Sequence, residues 1–388
     1  MKAGWEFRPL GEVCGFQGGT QPPKSEFVDS PREGYVRLLQ IRDFKSDEKA
    51  VFVRDNSKVK KCAASDIMIG RYGASVGQIH RGKAGAYNVA LVRTIPNPTF
   101  LVRDYFYHYL TSDLFQVPLV GKKARSAQDG FNQDDISPFP IPLPPLEEQQ
   151  RIVAVLDEAF EGLSRARAHA EANLQNAREL FESIKANSLA YDGPDRKTVT
   201  LSDVAEITSN LVDPREAPFV DMLHLGAGNM ATGTDELTNV MTAREEKLIS
   251  GKYLFDETTV LYSKIRPYLR KAARPDFSGL CSADVYPLTP KRRVLDKDFL
   301  FHLLLGHGFT EYAVSGSDRA GMPKVNRNHM FAYTFDLPPY ETQKHIARII
   351  DEAHISCVKL MDLAKTKIES LDDLHQTLLQ KAFAGELT

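Results

Sequence analysis

PLPPLEEQQRIVAVLDEA, residues 142–159, and DLPPYETQKHIARIIDEA, residues 336–353, spell one helix start twice, and that recurrence decides how the chain is built. At an offset of 194, Leu143 falls on Leu337, Pro144 and Pro145 on Pro338 and Pro339, Glu147 on Glu341, and Gln149 on Gln343. Ile152 then falls on Ile346, and Asp157-Glu158-Ala159 on Asp351-Glu352-Ala353. Working outward, the same offset lays DYFYHYL (104–110) on DFLFHLL (298–304), Asn132 on Asn326, and Ser188-Leu189-Ala190 on Ala382-Phe383-Ala384. Near the unit starts it drifts to 191, where LGEV at Leu10 matches LSDV at Leu201. Two copies of one unit fill all 388 residues, an internal duplication.

Each unit has two parts. The first mixes short β-like runs (YVRLLQI, DIMIG and NVALVRTI in one copy, APFVDMLHL and TTVLYSKI in the other) with Gly, Pro and Asn punctuation and one aromatic helical stretch, and reads as α+β. The second opens at Pro-Pro, which blocks helix before it and suits a helix start after it. A long proline-free run follows with apolar residues at heptad spacing. Positions 156, 160, 163, 167, 170, 174, 177, 181, 184 and 188 read Leu, Phe, Leu, Arg, Ala, Leu, Ala, Phe, Ile, Ser, and the second copy, 350 to 382, reads Ile, His, Cys, Met, Ala, Ile, Leu, His, Leu, Ala. That is a sustained coiled-coil seam. Each helix would be roughly 65 Å long at ~1.5 Å per residue. One such helix cannot bury its own seam, so the two copies are expected to pack together. The alternative is two amphipathic helices, each capping its own domain.

Composition is that of a globular chain, 42% hydrophobic and 26% charged, of a length that favours more than one domain. No apolar run approaches the ~18 residues of a membrane span, and MKAGWEFRPLGEV has no signal-peptide core. The four cysteines are scattered with no CxxC, against a zinc site or disulfide framework and in keeping with a reducing cytoplasm. The net charge of −2 divides into +5 over residues 1–145 and −2 over 198–336. Bulk charge therefore makes no case for nucleic acid.

Motifs that would carry catalysis fail on inspection. LGAGNMA (225–231) fits G-x-G-x-x-A with Glu245 downstream, but TGTDEL follows where a helix is required, so a glycine turn is expected. NPTF (97–100) lacks the second proline and the glycine loop of an amino-methyltransferase. LPPY (337–340) is explained by its counterpart LPPL. His302 and His307 are poorly spaced for a metal, and His108 and His302 are repeat partners in apolar helices, expected as satisfied core histidines. No P-loop, HExxH or G-x-S-x-G appears, and the chain is expected not to be an enzyme by itself.

Two divergent α+β domains alternating with two similar long helices, each opened by LPP-L/Y-E-x-Q, resemble the specificity subunit of type I restriction–modification systems. The resemblance runs the full length, from WEFRPLGEV (5–13) to LLQKAFAGELT (378–388), with SLAYDGPDRKT (188–198) a degraded copy of that ending. It implies an α+β fold with internal duplication: two globular target recognition domains separated by two long antiparallel coiled-coil helices with pseudo-two-fold symmetry. The divisions would be target recognition domain 1 at 1–145, spacer helix 1 at 146–190, a linker at 191–198, target recognition domain 2 at 199–336, and spacer helix 2 with a tail at 337–388.

The resemblance further implies a non-catalytic subunit reading a bipartite, asymmetric double-stranded DNA target and docking two methyltransferase subunits and restriction subunits. S-adenosylmethionine would then sit on the methyltransferase partners, with no cofactor or metal in this chain. A coiled-coil scaffold holding two domains that do not bind DNA is the alternative. Direct readout needs donors on polar loops. In the first domain these are Arg71, Tyr72 and Gln78 in GRYGASVGQ, and Lys122, Lys123 and Arg125 in GKKARSAQDG; in the second, Lys264, Arg266, Arg270 and Lys271 in SKIRPYLRK, and Arg319 and Lys324 in SGSDRAGMPK. Glu147, Gln149, Glu341 and Gln343 lie off the seam, which suggests contact with a partner or with a domain base, against the simpler reading of a helix cap.

Overall fold

The computed structural model describes residues 4–123, 130–317 and 323–387. The chain divides into two compact units, Met1–Glu171 with Thr366–Thr388, and Ala172–Lys365. Both are built to one plan.

In the first unit an antiparallel sheet orders Cys14–Gly18, Leu91–Pro96, Met68–Gly70 and Ile79–His80. A second sheet orders Val51–Arg54, Tyr35–Leu39, Gly85–Tyr87 and Lys61–Cys62, with its middle pair parallel. In the second unit the corresponding sheets run Ala205–Glu206, Val285–Pro290, Val260–Ser263, Ala272–Ala273, and Met241–Thr242, Leu223–Leu225, Gly279–Cys281, Lys252–Phe255. Leu223–Leu225 and Gly279–Cys281 are again parallel, and Leu211–Val212 adds a fifth strand at the edge. Each unit also pairs its opening strand with the one before its Pro-Pro: Glu6–Pro9 with Pro140–Leu143, and Lys197–Thr200 with Thr334–Leu337. Lys197 and Thr198, in the expected linker 191–198, form part of the strand Lys197–Thr200.

The parallel pair dictates one residue. A Cβ on Gly85 would lie 2.6 Å from the carbonyl oxygen of Arg37, and one on Gly279 2.6 Å from that of Leu223. Neither carbonyl can retreat without breaking the sheet. Gly85→Ala and Gly279→Ala should therefore each cost roughly 1–3 kcal/mol, the usual penalty for overpacking, read as a lower urea midpoint at unchanged m-value. A midpoint equal to that of the parent chain would show that the strands yield.

The long helices are Leu146–Leu189 and Tyr340–Ala384. Every one of the twenty seam positions is buried or half-buried. In the first unit Phe160 stacks on His375, ring centroids 4.0 Å apart, while Arg167, further along the first helix, pairs with Asp372, earlier in the second. The helices there run antiparallel. The one polar residue in the middle of the first seam is thus matched by a carboxylate, with Glu171 2.9 Å from the same guanidinium. In the second unit Phe181, near the end of the first helix, meets His354, near the start of the second, at 5.2 Å.

Pairing and capping are both realised. The core of the first unit, built on Leu10, Ile69, Tyr105, Phe106 and Tyr109, takes in Ile152 and Leu156 from the start of one helix and Leu379, Ala382 and Phe383 from the end of the other. The core of the second, built on Leu201, Val260, Tyr262 and Phe299, takes in Ile346, Ala347 and Ile350, with Phe181 and Leu189 packed against it. Asn132 and Asn326, matched in the repeat, cap equivalent short helices by accepting the Asp135 and His329 N–H groups.

Candidate nucleic-acid interface

In both units the described loop candidates lie where a central strand ends in a tight turn beside the chain re-entering from the next candidate loop. In the first unit Met68–Gly70 leads into Arg71 and Tyr72, and then into a 3-10 turn, Gly73–Ser75. Tyr72 forms a bridge with Gly130, and the Arg71 Nε donates to the Phe131 carbonyl at 2.8 Å. The Arg71 guanidinium lies 5.0 Å from the centre of the exposed Tyr72 ring. Gln78 closes the turn through its carbonyl, which accepts the Gly70 N–H at 2.8 Å. Arg71, Tyr72 and Gln78 are therefore brought together. Lys122 and Lys123 end the helix Asp113–Lys123, but their side chains, like all of Arg125, lie outside the described residues.

In the second unit Val260–Ser263 leads into Lys264, Ile265 forms a bridge with Lys324, and the Arg266 N–H donates to the Pro323 carbonyl at 2.8 Å. Here the 3-10 turn is Pro267–Leu269, flanked by Arg266 and Arg270, both in left-handed backbone at φ 49°. In the first unit two glycines, Gly73 and Gly77, supply the positive φ of the same turn. An L residue there pays a backbone penalty of about 1–2 kcal/mol, and such strain gathers at functional sites. Arg319 lies outside the described residues.

In the second unit most of the candidate cations are occupied by protein groups. Lys264 donates to the Ala283 carbonyl at 2.6 Å and lies 3.4 Å from Asp284, whose other cation is Lys324 at 3.2 Å. Burial works to raise the Asp284 pKa, but the two lysines outweigh it and hold the carboxyl below its ordinary range. Lys271 donates to the Ala227 carbonyl, and Arg270 reaches Glu182 on the first long helix at 3.1 Å. Of the described candidates in this unit, only the Arg266 side chain is exposed and without a partner among the described residues. Beside it stands Tyr268, 54% exposed, which the sequence reading missed because Pro-Tyr-Leu passes for ordinary apolar text.

Of the two contacts open to the helix-start glutamines, the structure places them against their own domain. Gln149 is 1% exposed: its Oε1 accepts the Val102 N–H at 2.8 Å, and its Nε2 donates to the carbonyls of Phe100 (2.8 Å) and Pro144 (3.0 Å). Gln343 repeats this residue for residue, accepting from Asp296 and donating to Val294 and Pro338. Both amides are consumed inside their own units, so neither is free to dock a partner. Glu147 and Glu341 remain exposed, Glu341 only loosely paired with Lys344 at 3.3 Å.

The histidines are satisfied core groups: His108 and His302, each 4% exposed, place Nε2 3.0 Å from Asp157 and 2.9 Å from Asp351. In the second unit Arg274 joins this pair, contacting Asp351, Asp298 and Asp235 and lying over the Phe301 ring. The glycine-rich LGAGNMA is a turn whose Asn229 accepts the Gly226 N–H and donates to the Thr238 and Asn239 carbonyls. Glu245 is occupied with the Thr242 N–H. No helix among the described residues is long and apolar enough to cross a membrane.

Comparison with known proteins agrees over most of the chain. The sequence profile described as the type I restriction modification DNA specificity domain matches twice, at residues 2–171 and 195–370. The EcoDI specificity subunit of Escherichia coli is 25% identical over 342 residues, covering 80% of this chain and 75% of that protein. The StySPI specificity subunit of Salmonella potsdam is 20% identical and covers 100% of this chain and 90% of that protein. Among solved structures, a chain from work on complex assembly and conformational transition of the type I R-M system superposes with a TM-score of 0.79 at 18% identity, over 100% of this chain and 99% of that one. The HsdS subunit of Thermoanaerobacter tengcongensis gives 0.62 at 18% identity, over 99% of this chain and 98% of that one.

Proposed function

Since the chain belongs to the type I restriction–modification DNA specificity family, we propose that it is the non-catalytic reader of a bipartite, asymmetric DNA target. One half-site falls to the domain at residues 1–145 and the other to that at 199–336. The observation that carries this is the duplication: one fold is built twice, with the same turn facing outward, while the loop chemistry differs between the copies. Two readers of unlike text give an asymmetric site with an unread gap. The long helices would hold the two readings apart.

Those helices are also the proposed docking surface for two methyltransferase subunits and, through them, restriction subunits. Support comes from large apolar side chains that stay exposed although the seam is covered. Leu180, Ile355, Leu360 and Leu363 are 49%, 55%, 50% and 68% exposed, and Glu147 and Glu341 are exposed at the helix starts. Such residues are what a partner would cover. Adenine methylation with S-adenosylmethionine and DNA cleavage would belong to those partners, in the cytoplasm. Family membership sets the coiled-coil scaffold aside.

The test is to purify the chain from its host with whatever subunits accompany it and to map methylated adenines in the host DNA with and without it. A methyltransferase should co-purify, and a gapped motif with two dissimilar halves should vanish with the gene. An ungapped or palindromic motif, or no dependence on this chain, would refute the reading.

A further inference from the structure

Two outward turns, one in each unit, carry the same pair of residue types although the sequences around them differ. Arg71 and Tyr72 stand at the turn after Met68–Gly70, and Arg266 and Tyr268 at the turn after Val260–Ser263. The tyrosines are 39% and 54% exposed. Each turn is stitched to the re-entering chain, through Gly130 and Phe131 in one unit and Pro323 and Lys324 in the other. In the second unit the arrangement persists against backbone strain, with arginine where glycine would be easier. The neighbouring cations Lys264, Arg270 and Lys271 are occupied by protein groups, which leaves Arg266 as the one whose charge is offered outward among the described residues.

If the two domains read unlike half-sites, a feature common to both must meet what is common to both half-sites, and that is the sugar–phosphate backbone. We propose that the two turns are matched, sequence-independent DNA contacts, in which the guanidinium of Arg71 or Arg266 pairs with phosphate oxygens and the phenol of Tyr72 or Tyr268 packs on the adjoining sugar. This inference rests on the proposed function and changes what is expected of Arg71. Its Nε is committed to Phe131, so it is assigned to register rather than to base identity. Phosphate contacts fix the position of a protein on the duplex and carry no base information. Discrimination then falls to surfaces without a counterpart in the other unit, such as the added edge strand Leu211–Val212.

The test uses the complete complex of this chain with its methyltransferase subunits, on one duplex carrying the mapped motif and one with both halves scrambled. Arg266→Gly removes the guanidinium and relieves the left-handed strain, so a folding defect is not expected to confuse the result. Affinity should fall several-fold and by the same factor on both duplexes. The slope of log K against log salt should flatten by about 0.9 for one lost phosphate contact. Tyr268→Ala should weaken both duplexes equally with an unchanged slope, and the host methylation motif should be unaltered by either variant. Relaxation of the motif at a base in one half would overturn the proposal in favour of base readout, and unchanged affinity and slope would remove the turn from the interface. A parent complex that binds both duplexes equally would instead refute the functional reading beneath it.

Discussion

Gln149→Ala is expected to lower the melting temperature of the chain substantially, and Gln343→Ala to do the same. Each substitution strands two carbonyls and one N–H that the amide satisfies from a site almost closed to water. A buried polar group left unsatisfied costs about 1–3 kcal/mol, so about 3 kcal/mol or more is expected in total. For units of this size that corresponds to a fall of roughly 6–12 °C. Gln→Glu should be no better, because a carboxylate would face two carbonyl oxygens with no proton to donate. Scanning calorimetry decides the matter. A normal melting profile combined with loss of methyltransferase binding would restore the docking role that the sequence suggested and sink the clamp.

Arg274→Ala should be the second severe lesion, and Arg81→Ala, its counterpart, a mild one. Arg274 is 17% exposed and holds three carboxylates, whereas Arg81, 47% exposed, pairs with Asp104 alone at 2.8 Å and lies over the Tyr107 ring. Removing one partner from a buried ionic cluster costs about 3–5 kcal/mol, at the lower end here because Asp235 and Asp298 are half exposed, while an exposed pair contributes under about 1 kcal/mol. Equal effects of the two variants would show that the cluster is not the cause.

The same cluster sets an acid limb. Burial lowers the His302 pKa below its ordinary 6.5, outweighing the upward pull of the Asp351 hydrogen bond, so the unfolded chain takes up the proton first. Stability should therefore fall as pH drops through about 6.5. Burial alone would raise the Asp351 carboxyl, but His302 and Arg274 hold it well below its ordinary 3.8, so its contribution is lost only as pH falls below about 4. Urea midpoints from pH 7.5 to 5 should decline, and His302→Gln should shallow the decline. An identical slope in that variant would place the sensitivity elsewhere.

The helices and the duplication were legible because heptad spacing and a 194-residue echo are properties of sequence alone. For Gln149 and Gln343 the sequence leaves a partner and a domain base both open, for a physical reason: their position off the seam is visible, but the crossing of the Phe100–Val102 segment over the helix start, which buries them, is not. Lys264, Arg270 and Lys271 were legible as cations on a loop, yet which of them a carbonyl or Glu182 would occupy depends on contacts tens of residues away in sequence. Tyr268 stands out only once its solvent exposure is seen. The asymmetry between Arg81 and Arg274 is likewise invisible to a repeat alignment, since Asp235 has no part in the first unit.

Membership of the helix ends in the two cores imposes an order on synthesis. The second unit is one continuous run, Ala172–Lys365, and all of its parts have been made before Thr366–Thr388 is added to the first. The first unit, although its sheets precede those of the second, lacks Leu379, Ala382 and Phe383 until the whole of the second unit has been made. Domains generally fold as units in the order in which they become complete. Of the two units, the one whose sheets are made first is therefore the one that closes last. Until Phe383 is made, Tyr105 and Tyr109 lack the ring that packs edge-on against both.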